Sequence, residues 1–389
     1  MDADFTFDGG AVLTVDAVKS ASTFTIYYSL AASRLLHFNG ITATATADAN
    51  ACNLNLAAVS GNVVHDVLIQ GSTLKSYQRS TLAARNILLR TSAVLSNAHI
   101  RIIEGSYLLA DAKTLGSGTA TNIGLSRVQG TGYVEIANST LHVLGNSKAQ
   151  NLEGAAESGG HIQISSSGLD ATANGFAHNV KMVYVTAALA SSGSMQILHS
   201  ALSCTGADAT YQTSNVRLIR YINDFNMQVM NTTLTAATTH ATTVGAATTS
   251  NFDFRDFDTV TLVVEDCTLI ATETGTSPTA TVALHTQDMT TFAGSSITIN
   301  RCVVTLSSYN GVLGYIFFHK GTAPVIPSTI AITTTDTTIT ASNTLPNVVA
   351  AVLCGDGANA LTLAGTHTIE FTTTTLAFTS AGDAAVFHM

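Results

Sequence analysis

The sequence predicts an all-β fold, a single-stranded right-handed parallel β-helix (β-solenoid) of about ten to twelve rungs. Three observations predict it. An octapeptide of fixed form recurs at a steady period, its apolar residues alternate with a period of two, and helical periodicity is scarce throughout the chain.

The octapeptide is clearest in "LVVEDCTL" (262–269) and "ITINRCVV" (297–304). Further copies fall into the same columns without gaps: "VLIQGSTL" (67–74), "ILLRTSAV" (87–94), "VEIANSTL" (134–141), "IQISSSGL" (162–169), "MQILHSAL" (195–202), "MQVMNTTL" (227–234), "ITTTDTTI" (332–339) and "IEFTTTTL" (369–376), with "IRIIEGSY" (100–107) as one more. From Met195 the copies start 32, 35, 35, 35 and 37 residues apart, which is a solenoid period. The common form is apolar, any, apolar, any, polar, small, small, apolar. Apolar residues two apart mark a strand with one face inward, and the polar-plus-small pair marks a bend into a second short strand.

Stacking of rungs about 4.8 Å apart accounts for the columns. Ile69, Leu89, Ile136, Ile164, Ile197, Val229, Val264, Ile299 and Phe371 are expected to form one apolar ladder, with Thr334 as its single break. Leu74, Leu202, Leu234, Leu269 and Leu376 are expected to form another after the bend. A further strand lies between copies: "NVRLIR" (215–220), "NFDFR" (251–255), "TVALH" (281–285), "YIFFH" (315–319), "VAAVLC" (349–354) and "AAVFH" (384–388). Residues 1–60 show the period poorly and are expected to be an N-terminal cap or degenerate rungs, with the β-helix proper at 61–389. A tandem of immunoglobulin-like sandwiches is disfavoured by the short period and by the absence of Trp.

Composition narrows the function classes. Charged residues make up 11% of the 389-residue chain, against about 25% in typical soluble domains. The net charge is −9 and no basic run or basic-aromatic stripe occurs, which argues against nucleic acid as a partner. The longest apolar run, "VVAAVLC" (348–354), is too short to insert in a membrane. The N-terminus lacks a secretory signal, so the expectation is either a cytosolic protein or a segment of a longer secreted chain.

Candidate sites follow from the predicted stacking. Arg220, Arg255, His285, His319, Cys354 and His388 each end a strand after an apolar residue and are expected to form one outward polar column, either an exposed strand-end column tolerant of polar residues or a site for a metal or anion. Asp253, Asp256 and Asp258 form the one dense acidic patch, a candidate calcium site or an exposed turn. Cys267 and Cys302 share the bend column and are expected to be rung neighbours, as a disulfide or as buried thiols. Asn138 and Asn231 begin glycosylation acceptor triplets at the bend. The paired carboxylates of a glycosidase, the polygalacturonase-type motif set and the common nucleophile and phosphate motifs are missing as sets, and no cofactor is implied.

"LVVEDCTLIAT", "ITINRCVVTLS" and the intervening "ATVALHTQD" resemble the dispersed gene family surface proteins of trypanosomes and related kinetoplastid proteins, over roughly residues 195–389. The resemblance implies an extracellular, adhesion-type molecule with a β-helical ectodomain. It carries over no catalytic residues, and Cys stands at the bend in only two copies here. The expected function is therefore non-enzymatic display: a hydroxyl-rich solenoid face offered to glycan or protein, with end-to-end self-association as a further contact. The alternatives are a polysaccharide lyase or glycoside hydrolase on the same scaffold, and an ice-binding protein.

Overall fold

The computed structural model describes residues 4–28, 34–58, 61–63, 65–89, 93–183, 192–207, 212–219, 224–239, 248–255, 259–275, 280–287, 294–319, 325–326, 330–354, 362–363 and 366–388. They form an all-β solenoid with three parallel sheets of twelve strands each. Every coil contributes one strand to each sheet in chain order. In the coil that begins at Val260 these are Val260–Glu265, Thr268–Glu273 and Ala280–Gln287.

The chain forms two compact units. The first comprises Met1–Asn174, Asn179–Met182 and Ser191–Ala201. In its first sheet Phe7 pairs with Phe38, Phe38 with Ile69, Ile69 with Ile102, Ile102 with Ile136, Ile136 with Ile164 and Ile164 with Ile197. The second comprises Gly175–His178, Val183–Ala190 and Leu202–Met389. There Val229, Val264, Ile299, Thr334 and Phe371 form the equivalent column. From Ile69 to Thr334 these residues are buried, and each Ile or Val so placed stabilises the fold by about 1.5–3 kcal/mol.

Two expectations change. Leu89 is not in this column: Ile87 pairs with Leu54 and Ile123 in the third sheet, and Ile102 takes the first-sheet place. "ILLRTSAV" mimics the octapeptide because the third-sheet strands are also apolar. Thr334 keeps its ladder place through a hydrogen bond as well as its methyl group, since its Oγ1 lies 3.0 Å from the buried Tyr315 hydroxyl. The described residues 4–28 and 34–58 form strands in register with the later coils, as in the pairing of Ala21 with Ala51 and Ala51 with Ala84. In their second-sheet strand Thr42–Ala47 the inward places are small alanines, Ala43, Ala45 and Ala47, so the apolar signal there is faint in the sequence.

The bend carries the most regular chemistry. The fifth octapeptide residue has positive φ in every copy after the first sheet's strand: Gly71 (53°), Asn138 (48°), Ser166 (49°), His199 (50°), Asn231 (48°), Asp266 (54°), Arg301 (50°), Asp336 (48°) and Thr373 (47°). This left-handed conformation suits Gly and Asn and costs other residues about 1–2 kcal/mol. In the coil of Glu104 an inserted Gly105 shares the turn, with φ of 56° and 76°.

The residue after it is Ser, Thr or Cys for a reason beyond size. Ser167 Oγ–H is shared between the Ser165 carbonyl (2.8 Å) and the Ile136 carbonyl of the preceding coil (3.3 Å), while Oγ accepts the Ser139 N–H (3.1 Å). Ser72, Ser106 and Ser139 repeat the two donor contacts, and Thr374 does so at the far coils. These hydroxyls satisfy backbone groups that the bend removes from the sheet ladder.

Asn231 tests the conformational requirement. Asn231→Val is expected to destabilise by about 1–2 kcal/mol and Asn231→Gly to be near neutral, read from urea-unfolding midpoints. Ser167→Ala strands the buried Ser139 N–H and is expected to cost about 1–3 kcal/mol, whereas Cys302→Ser, which keeps a donor in place, changes stability by less than about 1 kcal/mol in the same measurement.

Candidate functional sites

Two polar assemblies stand out from the regular interior, one structural and one with charged groups. The structural one is an asparagine ladder at the start of the third-sheet strands. Asn53 donates Nδ2–H to Asn86 Oδ1 (2.7 Å), Asn86 to Asn122 (2.6 Å), Asn122 to Asn151 (2.7 Å) and Asn151 to Asn179 (2.8 Å). In the second unit Asn215 donates to Asn251 (2.9 Å). The second amide hydrogen reaches a second-sheet carbonyl, as from Asn122 to His142 O (2.9 Å) and from Asn151 to Asp170 O (2.9 Å). All these amides are fully buried, and their pairing ties the third sheet to the second.

The charged assembly lies on third-sheet strands Phe176–Val183, Thr213–Ile219, Thr248–Arg255 and Ala280–Gln287. Arg217, Asp253, His285 and Phe317 are in register. Arg217, Asp253 and His285 are 8%, 1% and 0% exposed, so the charges are withdrawn from water. Asp253 Oδ1 accepts from His285 Nδ1–H at 2.8 Å, which fixes that tautomer. On the other side Arg217 Nε and Arg255 Nε stand 3.1 and 3.5 Å from Asp253 Oδ2. Arg217 Nη1–H donates to His178 Nε2 (3.3 Å), so His178 Nδ1–H faces Ser214 Oγ (2.9 Å). Burial alone would raise the Asp253 pKa, but Arg217, His285 and Arg255 override it and hold the carboxyl well below the usual carboxylate range. Burial lowers the Arg217 pKa.

This register redraws the expected polar column. Arg255 pairs with Ile219 and with Gln287, and Gln287 in turn with His319. His285 sits beside Asp253 instead, and His388 follows Leu353 in that same column. Cys354 pairs with Phe318 and so faces the other side of the sheet, and burial pushes its thiol up to about 11. The strands end at different heights, so counting from the last apolar residue misplaces Arg255 and His285 by two residues. Arg220 lies outside the described residues, as do Asp256 and Asp258 of the acidic patch. Asp253, the third member of that patch, is an interior ion-pair partner and not part of an exposed turn. Among the described residues no three His, Cys, Asp or Glu side chains gather as a metal site.

Cys267 and Cys302 are coil neighbours and both are free thiols. They stand in the hydroxyl column and do its work: Cys267 Sγ–H faces the Glu265 (3.0 Å) and Val229 (3.5 Å) carbonyls, and Cys302 the Asn300 (3.2 Å) and Val264 (3.6 Å) carbonyls. The contact with Cys302 and burial push the Cys267 thiol up, so it remains a protonated donor at neutral pH. Asn138 and Asn231 are exposed at their bends.

A third feature covers the outward face of the second sheet in the second unit. Thr233, Thr268, Val303, Thr338 and Thr375 form one column; Thr235, Ile270, Thr305, Thr340 and Ala377 the next; and Ala237, Thr272, Ser307, Ser342 and Thr379 the third. All fifteen places are exposed or half-buried, eleven carry hydroxyls and none is charged. Neighbours lie about 4.8 Å apart between coils and about 6.6 Å apart along a strand. The equivalent face of the first unit is mixed, with Lys75, Tyr77, Tyr107 and a His142 Nδ1–Asp170 Oδ2 contact of 3.0 Å. The hydroxyl array was hidden in the sequence because outward and inward threonines look alike until the bend fixes the strand's phase.

Compared with protein-family models, curated protein sequences and solved structures, the chain matches none. Its chemistry is therefore read from its own geometry.

The charged assembly makes stability acid-sensitive. A carboxyl whose pKa is depressed by folding contributes stability above its unfolded value, near 3.9, and loses it as pH falls toward the folded value. Unfolding free energy is expected to drop below about pH 4. Asp253→Asn, less stable by about 3–5 kcal/mol at neutral pH because Arg217 is left unpaired, is expected to show a shallower acid slope in urea titrations between pH 2 and 5.

Proposed function

We propose that the protein is a non-enzymatic binding and display module whose working surface is the hydroxyl array on the second sheet of the second unit. The observation that carries this reading is the register of that face: five coils place Thr, Ser and small apolar side chains in three uncharged columns. Threonine is stiff at χ1 when it sits on a strand, so its methyl and hydroxyl are held in place before a partner arrives. Each contact is weak and many repeat, so binding to a glycan or protein surface gains strength from multiplicity. Catalysis is less well supported, because Asp253 and His285 are buried where a sugar chain has no approach.

The setting that suits this role is an extracellular or cell-surface segment. Exposed acceptor asparagines at Asn138 and Asn231 and the resemblance to kinetoplastid surface proteins agree with it. Among the described residues no helix is long and apolar enough to cross a membrane. Self-association of copies through coil ends, where Val386 and Phe387 are about half exposed, belongs to the same picture.

A second reading, ice binding, is favoured by one specific feature. The array is periodic in two directions and carries no charge that would hold its own ordered water shell. One experiment separates the readings. The wild-type protein and the pair Thr305→Lys and Thr340→Lys are compared on a glycan array and in a thermal-hysteresis assay. Display predicts glycan or protein capture that falls at least about tenfold in the variants, with no hysteresis. Ice binding predicts hysteresis that the same changes abolish. Activity in neither assay would remove the face from consideration.

A further inference from the structure

Arg217, Arg255 and Asp253 leave a charge problem that their own geometry does not solve. Two guanidinium groups face one carboxylate, so among the described residues the cluster carries one surplus positive charge. Arg217 and Asp253 are more than nine-tenths buried, and 17% of the Arg255 side chain reaches solvent. An unbalanced charge in such surroundings costs several kcal/mol. The hydrogen bonds are incomplete too. Arg217 Nε, Arg255 Nε, Arg255 Nη2 and Asp253 Oδ2 are all buried without a hydrogen-bond partner among the described residues, although the ions face each other. The guanidinium groups are near the carboxylate and misaligned to it, so their N–H groups aim elsewhere.

The other contacts hold these donors in place. His178 occupies Arg217 Nη1, His285 occupies Asp253 Oδ1, and the Phe317 ring packs 5.4 Å from His285. Arginine presents several coplanar N–H groups suited to an oxygen pair or a halide, and here two arginines leave three such donors unpaired among the described residues.

We propose that Arg217 and Arg255 form a binding site for one small monoanion, a carboxylate group or a halide, which enters beside Arg255 and balances the surplus charge. A divalent anion would overshoot that balance, so sulfate binds more weakly. The carboxylate can come from a free ion or from an acidic sugar, and the site is separate from the hydroxyl array, which lies on another sheet.

The test titrates formate, chloride, glucuronate and neutral glucose at constant ionic strength set by sodium sulfate, reading the thermal unfolding midpoint, with line broadening of ¹³C-formate as a direct measure of binding. A saturable rise on the order of 2 °C is expected with formate and chloride. A matching rise with glucuronate but not glucose assigns sugar-borne carboxylates to the site, and a rise with formate and chloride alone restricts it to free ions. Arg255→Gln, close to the surface and expected to fold, should lose both the saturable rise and the broadening. Asp253→Asn raises the surplus charge and should bind formate at least about tenfold more tightly, partly restoring its stability. Absence of saturable binding in the wild type, or broadening that persists unchanged in Arg255→Gln, overturns the proposal.

Discussion

The rest of the structure depends on the bend between the first and second sheets. There one residue turns left-handed and the next buries a hydroxyl or thiol that bonds its own coil and the coil before it. The left-handed residue fixes where each coil turns, and the buried donor fixes the height at which the next coil sits. Together they set the register, and a strand's register decides which side chains face inward. A slip of one residue would expose Ile164 and bury Gln163, so the polar device at the bend protects the apolar ladder beside it.

The same register makes room for polar groups inside. An asparagine in one coil can hydrogen-bond only if the neighbouring coil offers an amide at the same height, and the chain supplies one from Asn53 through Asn179 and again at Asn215 and Asn251. Where the series stops, the interior changes character. Ala283 and Ala351 are small and buried, and the large Tyr315 occupies the intermediate coil with its hydroxyl turned to Thr334. Burial pushes that phenol far up, so it acts as a neutral hydrogen-bonding group at any ordinary pH. Polar satisfaction is thus achieved coil by coil, either along a column or across the interior.

How much of this could be read from the sequence follows from which signals are local. The first-sheet column was legible because alternation and a bend motif lie within eight residues, as in "LVVEDCTL". The second-sheet strand Thr42–Ala47 was not, because Ala43, Ala45 and Ala47 carry too little hydrophobicity to mark a strand face. The asparagine ladder was present as a recurring Asn followed by an apolar residue, in "NILL", "NIGL", "NVRL" and "NFDF", and a search for polar columns as well as apolar ones would have found it. Asp253 beside His285 was out of reach, since third-sheet strands differ in length and only the pairing of Phe252 with Leu284 sets their offset. Outwardly Asp253 belonged to an acidic patch; in space it belongs to two arginines and a histidine.

In-register stacking also explains the low charge that marked the composition. A residue type repeated in one column places its charge about 5 Å from the copy above, where two like charges repel by about 1 kcal/mol in water and several times that near protein. A solenoid column therefore alternates signs or does without. Asp266, Arg301 and Asp336 alternate, and Arg301 bonds Asp266 through Nε (2.7 Å) and Nη2 (2.8 Å). Arg101 and Glu135 (2.6 Å), Lys181 and Glu153 (2.9 Å), and Arg217 and Asp253 do the same across coils. Where no alternation was available the columns became Thr, Ser and Ala, and the uncharged face of the second unit is the result. The surface proposed to bind a partner is in this sense a consequence of how the coils are held together.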